Sequence, residues 1–79
     1  MRTVFVNGPN ADFVTDGIRD EIEINAAIAF AAMSGNEVVV NITEDYPVET
    51  LEMIRRYARK RNIKVYLRKD DVETELNLL

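Results

Sequence analysis

The chain reads as α/β: a small two-layer βαβαβ domain over residues 1–79, with a three-stranded parallel sheet, two helices and a short C-terminal segment. Three observations point there. Apolar residues alternate with period two near both ends, at Val4 and Val6 and again at Ile63, Val65 and Leu67. A near-continuous apolar run, Val38-Val39-Val40-Asn41-Ile42, lies between them. The two intervening stretches repeat their apolar residues at three- and four-residue spacing, the period of a helix. Strands separated by helices favour parallel pairing through right-handed crossovers.

Each element has its own local reason. In Thr3–Asn7, Val4 and Val6 point one way and Thr3, Phe5 and Asn7 the other, and Gly8-Pro9-Asn10 ends the strand. Asp20 and Glu23 have the spacing of a capping box, and the run Glu21 to Ser34 reads as the first helix, with Gly35 at its stop. Ile24, Ala27, Ile28 and Ala31 make one apolar stripe; Ile22, Ala26, Ala29, Phe30 and Met33 make a second. Every residue from Ala26 to Met33 is apolar, so this helix is expected to be covered on more than one side, either wedged in the core or as half of a subunit contact. The run 38–42 has the composition of a central strand buried on both faces. Pro47 suits the first turn of a second helix, whose stripe is Val48, Leu51, Ile54, Tyr57 and Ala58. Glu52 precedes Arg56 by four residues, a favourable helical pair, and Asn62 is the expected stop. Ile63, Val65 and Leu67 alternate with Lys64, Tyr66 and Arg68 in the third strand. Val72 to Leu79 holds Val72, Leu76, Leu78 and Leu79 and is expected to be a short docked helix or a swapped arm.

The apolar middle strand belongs in the centre, so the expected strand order is 1-2-3, with 2-1-3 as the alternative. Both helices then cover the face of Val4, Val6, Ile63, Val65 and Leu67. The other face shows Phe5, Tyr66 and a valine ringed by Thr3, Asn7, Lys64 and Arg68. An apolar patch of that kind calls for a cover, supplied by the C-terminal leucines or by a second subunit. A core of this size by itself yields only about 3–5 kcal/mol, which favours self-association.

Composition removes several function classes. The chain has no histidine and no cysteine, so it has no neutral-pH imidazole base, no thiolate nucleophile and no Cys/His metal cage. Ser34 is the only serine and has no base beside it, and Gly8, Gly17 and Gly35 form no phosphate-binding loop. No catalytic constellation and no cofactor is implied, and the expectation is a non-enzyme. No stretch approaches the roughly 18–20 apolar residues of a membrane span, and the start lacks the apolar run of a signal peptide. The expected location is the cytoplasm.

Charge is unevenly placed. Up to Ile54 the chain holds two bases against ten acids; from Arg55 onward it holds eight bases against four acids. Such polarity suits an oriented electrostatic partner or head-to-tail self-association. Arg55, Arg56, Arg59, Lys60 and Arg61 form the one basic cluster, with Arg55, Arg56 and Arg59 placed outward on the second helix. An acidic protein or a nucleic-acid backbone is its natural partner. Asp12, Asp16 and Asp20, with Glu21, gather in the loop after the first strand and are the candidate metal ligands. Their alternative roles are a helix cap for Asp20, an Asx turn for Asp16 and simple solvation for the others.

Thr3-Val4-Phe5-Val6, then Ala11-Asp12-Phe13-Val14-Thr15-Asp16-Gly17, Asp20-Glu21-Ile22-Glu23-Ile24-Asn25-Ala26-Ala27-Ile28 and Val38-Val39-Val40 form a pattern over residues 3–40. It resembles the N-terminal segment of pectate-lyase-like right-handed parallel β-helix proteins, including phage tail-spike and surface proteins. The resemblance implies a short helix that caps a solenoid, followed by a strand, and an origin in a phage or mobile element. Past residue 42 the pattern departs: a helix and a strand stand where stacked coils belong. The family's carbohydrate-active residues lie in those later coils, so none is carried onto this chain.

The expected function is therefore a small protein-interaction module that binds itself or a protein partner. Its expected surfaces are the helix face with Phe30 and Met33, the sheet face with Phe5 and Tyr66, and the basic end of the second helix. The alternatives are a nucleic-acid-binding accessory protein using that basic end, and a carboxylate-based metal-binding protein.

Overall fold

The computed structural model describes residues 3–34 and 37–76. The order of elements is β1 (Val4–Val6), α1 (Glu21–Ser34), β2 (Val38–Asn41), α2 (Val48–Arg61), β3 (Val65–Lys69) and β4 (Val72–Glu75). They form one four-stranded sheet in the order β1-β2-β3-β4. β1, β2 and β3 are parallel, with Val4 opposite Val38 and Val38 opposite Val65. The α/β class and the 1-2-3 order both hold. The central place goes to Val38-Val39-Val40 because all three are buried, whichever face they point to.

The sheet has four strands, not three. Val72–Glu75 is neither a docked helix nor a swapped arm: it pairs antiparallel with β3, Val72 opposite Lys69 and Glu75 opposite Tyr66. The turn is two residues long, Asp70 and Asp71, both left-handed with φ of 51° and 64°. That is the backbone of a tight hairpin whose twist matches its strands. Leu76 then enters the helix-side core, fully buried. Leu78 and Leu79 lie outside the described residues, so their expected role as a cover does too.

One face of the sheet makes the core. Val4, Val6, Val38, Val40, Val65 and Leu67 pack against Ile24, Ala27, Ile28 and Ala31 of α1 and Ile54 and Ala58 of α2. The first stripe of α1 is thus spent inside. The second is not: Ile22, Phe30 and Met33 are exposed. α2 buries only Ile54 and Ala58 fully; Val48, expected on its stripe, is exposed. Pro47 stands at the N-cap position, one residue before the helix, and Asn62 ends it in a left-handed conformation.

The opposite face carries Phe5, Val39, Tyr66 and Glu75 in one row across the strands. Val39, in the middle of this row, is only 4% exposed. On the same face the Arg68 guanidinium sits 6.0 Å from the Phe5 ring, two strands away. Glu73 on β4 holds the same guanidinium in an ion pair. The patch expected to need an outside cover is partly closed by its own residues.

Candidate functional site

The loop after β1 is built by hydrogen bonds. Phe13 bridges to Val6 as an added parallel residue on the free edge of β1. The backbone N–H of Asp12 and of Phe13 donate to the Phe5 carbonyl, and the Asn7 N–H donates to the Phe13 carbonyl at 2.8 Å. The Phe5 N–H donates to Asp12 Oδ2 at 3.0 Å. This edge is therefore occupied and does not offer its backbone to another strand. Asn7 ties the loop to β2. Its Nδ2 donates to Thr15 Oγ1 (2.9 Å) and to the Asn41 carbonyl (3.4 Å), and its Oδ1 accepts from the Thr15 N–H (2.9 Å). Asn41 Nδ2 donates back to the Asn7 carbonyl at 3.1 Å. Gly8 is required here: its φ is +84°, and a Cβ would stand 2.9 Å from Asn41 Nδ2.

The three candidate metal ligands are not brought together. Asp12 is turned onto Phe5. Asp16 Oδ1 accepts from the Ile18 N–H at 2.9 Å, the expected Asx turn. Asp20 Oδ1 accepts from the Gly17 N–H at 3.0 Å, and Oδ2 accepts from the Tyr46 hydroxyl at 2.9 Å. The Asp20 carboxylate thus closes its own loop instead of reaching into the helix as a capping box would. Among the described residues no group of three carboxylates is placed to hold a metal ion.

Sequence reasoning missed the role of Tyr46. A cleft of about 510 Å³ opens at the carboxyl ends of β1 and β2, lined by Asn7, Thr15, Asp20, Asn41 and Tyr46 among others. Burial, then the hydrogen bond and charge of Asp20, hold the Tyr46 hydroxyl well above the usual tyrosine range, with a Thr15 hydrogen bond opposing. The phenol keeps its proton and acts as a fixed donor, fastening the β1–α1 loop to the start of α2. Only its position after the second strand, where open α/β sheets gather ligand-facing loops, could have marked it in the sequence.

The basic cluster is divided. Arg55 does not point outward: its side chain is 16% exposed, its Nε donates to the Leu76 carbonyl at 3.4 Å, and its Nη1 pairs with Glu52. Leu76 draws it inward, so Glu52 meets Arg55 and not Arg56 as expected. The Arg61 guanidinium stacks 3.7 Å over the Tyr57 ring. Arg56, Arg59 and Lys60 are exposed.

The outer side of α1 is of a different kind. Met33 is 87% exposed and Ile22 54%, and Phe30 lies between them at 39%. Val14 and Ile18, in the loop before α1, are exposed as well. Phe30 is held by Phe13, ring edge to face, with centroids 5.9 Å apart and planes at 63°. Because Phe13 sits on the β1 edge, Phe30 marks the β1 flank of α1. Phe30 and Met33 were legible from the stripe; Val14 and Ile18 are exposed in a loop without periodicity.

No helix among the described residues is long and apolar enough to cross a membrane. Comparison with family models, with curated proteins and with solved structures returns no match.

Proposed function

We propose that the chain is a protein-interaction module whose docking surface is the outer side of α1, and that it acts by association and not by catalysis. One observation carries this reading: Ile22, Phe30 and Met33 stand exposed on a helix whose other stripe already fills the core. A helix apolar on both sides is ordinarily buried on both. Soluble monomers rarely show contiguous apolar patches of more than a few hundred Å² unless a partner uses them. Phe30 is positioned for that use, since an aromatic side chain already held by Phe13 loses little freedom on binding. The Phe5–Tyr66 face is a weaker candidate because Phe5 and Tyr66 are half-buried and Val39 between them is buried. The basic end of α2 is weaker as a nucleic-acid surface because Arg55 and Arg61 are held within the chain. The cytoplasm goes with this reading, and so does the phage or mobile-element origin that residues 3–40 suggest by resemblance.

The test is the mass in solution across a dilution series at two salt concentrations, for the natural chain and for Met33→Glu. Association that is insensitive to salt and weakened at least tenfold by Met33→Glu supports an apolar contact at this face. Association that Met33→Glu leaves unchanged would place the contact elsewhere.

A further inference from the structure

β4 is an outer strand of the sheet, with β3 on one side and, among the described residues, no strand on the other. The hairpin decides which of its backbone groups are spent. A two-residue turn makes Lys69 and Val72 the closing hydrogen-bonded pair. Val72 and Thr74 therefore exchange their bonds with β3, and the N–H and C=O of Glu73 and Glu75 point to the open side. The sheet's other edge, on β1, is closed by Phe13. We infer that the open edge of β4 takes an extended segment of a partner protein, with basic and apolar residues in alternation, as a fifth strand.

Charge and shape together select that partner. The two residues whose backbone groups are open are both acidic, and their side chains share one face of the sheet. β3 shows the kind of strand that β4 already accepts: Arg68 stands opposite Glu73 and Tyr66 opposite Glu75, with Leu67 opposite Thr74 on the other face. Arg68 Nε donates to Glu73 Oε1 at 3.1 Å, and its Nη2 donates to the same oxygen, so Oε2 can take a second base. On the helix side a hollow of about 400 Å³ is lined by Ile42, Leu67, Val72 and Thr74, with the Asp45–Lys69 ion pair (3.3 Å). Val72 is 64% exposed there. An added strand sets its apolar residues beside Val72 and Thr74 and its bases beside the two glutamates. A second copy does not suit this edge, because β4 paired with itself sets glutamate against glutamate. The same two residues thus refuse the copy and favour a basic strand. This surface lies at the opposite edge of the sheet from β1 and does not rest on the α1 reading.

The test is a titration of the natural chain, followed by its backbone amide signals in NMR, with the capped peptide Lys-Val-Lys-Val-Lys-Val-Lys. Two further peptides act as controls: Glu-Val-Glu-Val-Glu-Val-Glu, and the lysine peptide N-methylated at every backbone nitrogen, which keeps its charge and loses its donors. The expected result is saturable binding below about 1 mM, with the largest shifts at the Glu73 and Glu75 amides. Both controls are expected to bind at least tenfold more weakly. Glu75→Gln, which removes a charge and leaves the backbone intact, should weaken the lysine peptide by about two- to fivefold, and Met33→Glu should leave it unchanged. Equal binding of the N-methylated peptide would overturn the added strand and leave only attraction between charges. Equal binding of the glutamate peptide, or no shift at β4 by about 1 mM, would overturn the basic partner. Concentration-dependent shifts of the same amides without peptide would give the edge to a second copy and overturn it too.

Discussion

Leu76→Ala tests the part of the fold that the sequence reading got wrong. Leu76 is fully buried in the helix-side core, and it fixes the end of β4 there. Truncation removes three carbons, about 2–2.5 kcal/mol at 0.8 kcal/mol per buried methylene. The cavity relaxes only partly, which raises the cost to about 3 kcal/mol. A core of this size supplies about 3–5 kcal/mol in all, so the variant keeps little reserve. In urea, with a slope near 1 kcal/mol per molar, the midpoint is expected to fall by about 3 M. The control is Val72→Ala on the same strand, where the side chain is exposed and the change stays within about 0.5 kcal/mol. Both are measured at one protein concentration, because association stabilises the folded state by mass action. If Leu76→Ala unfolds at the same urea concentration as Val72→Ala, the segment after Asp71 does not dock in the core and the fourth strand is wrong.

Further consequences can be measured directly. Replacing Asp70-Asp71 by Asn-Gly suits two left-handed turn positions better and should raise the urea midpoint by the equivalent of about 0.5–1 kcal/mol; a loss would contradict the tight turn. Gly8→Ala meets both a φ of +84° and the Asn41 amide, and should cost about 1–2 kcal/mol in thermal unfolding; an unchanged melting temperature would show that the loop holds a different shape. Tyr46→Phe removes the donor to Asp20 and should cost about 1 kcal/mol at neutral pH. The Tyr46 pKa is raised on folding, so its contribution is fully present below the ordinary tyrosine pKa of 10.0 and is lost as pH rises above it, when the unfolded chain gives up the proton and the folded chain does not. Alkaline melting curves should therefore fall less steeply for Tyr46→Phe than for the natural chain; equal slopes would remove the phenol–carboxylate contact.

Local patterns were enough wherever a single period decided the outcome. Glu21–Ser34 appears with the bounds its apolar repeat implies, Asn62 ends α2 in the left-handed conformation open to asparagine, and the valine run 38–40 takes the centre of the sheet. β4 was hidden although Val72-Glu73-Thr74-Glu75 alternates, because Asp70-Asp71 lacks the glycine that marks a tight hairpin and the leucines beyond it suggested a helix. The candidate surfaces divide in the same way. Phe30 and Met33 could be placed on an outer stripe by spacing alone. Arg55 could not, since spacing sets the side of the helix but not what stands there; the Leu76 carbonyl arrives from a residue 21 positions away.

Residue order alone was sufficient for the α/β class, the parallel β1-β2-β3 core and the presence of two apolar stripes on one helix, because each rests on periodicity within a short window. Which stripe is buried depended on the sheet offering one face. The approach of Arg68 to Phe5 joins residues two strands apart. The closing of the β1 edge by Phe13, and the packing of Phe13 on Phe30, depended on where the loop returns. Those contacts join residues whose separation in the chain carries no period, so only packing in three dimensions decides them.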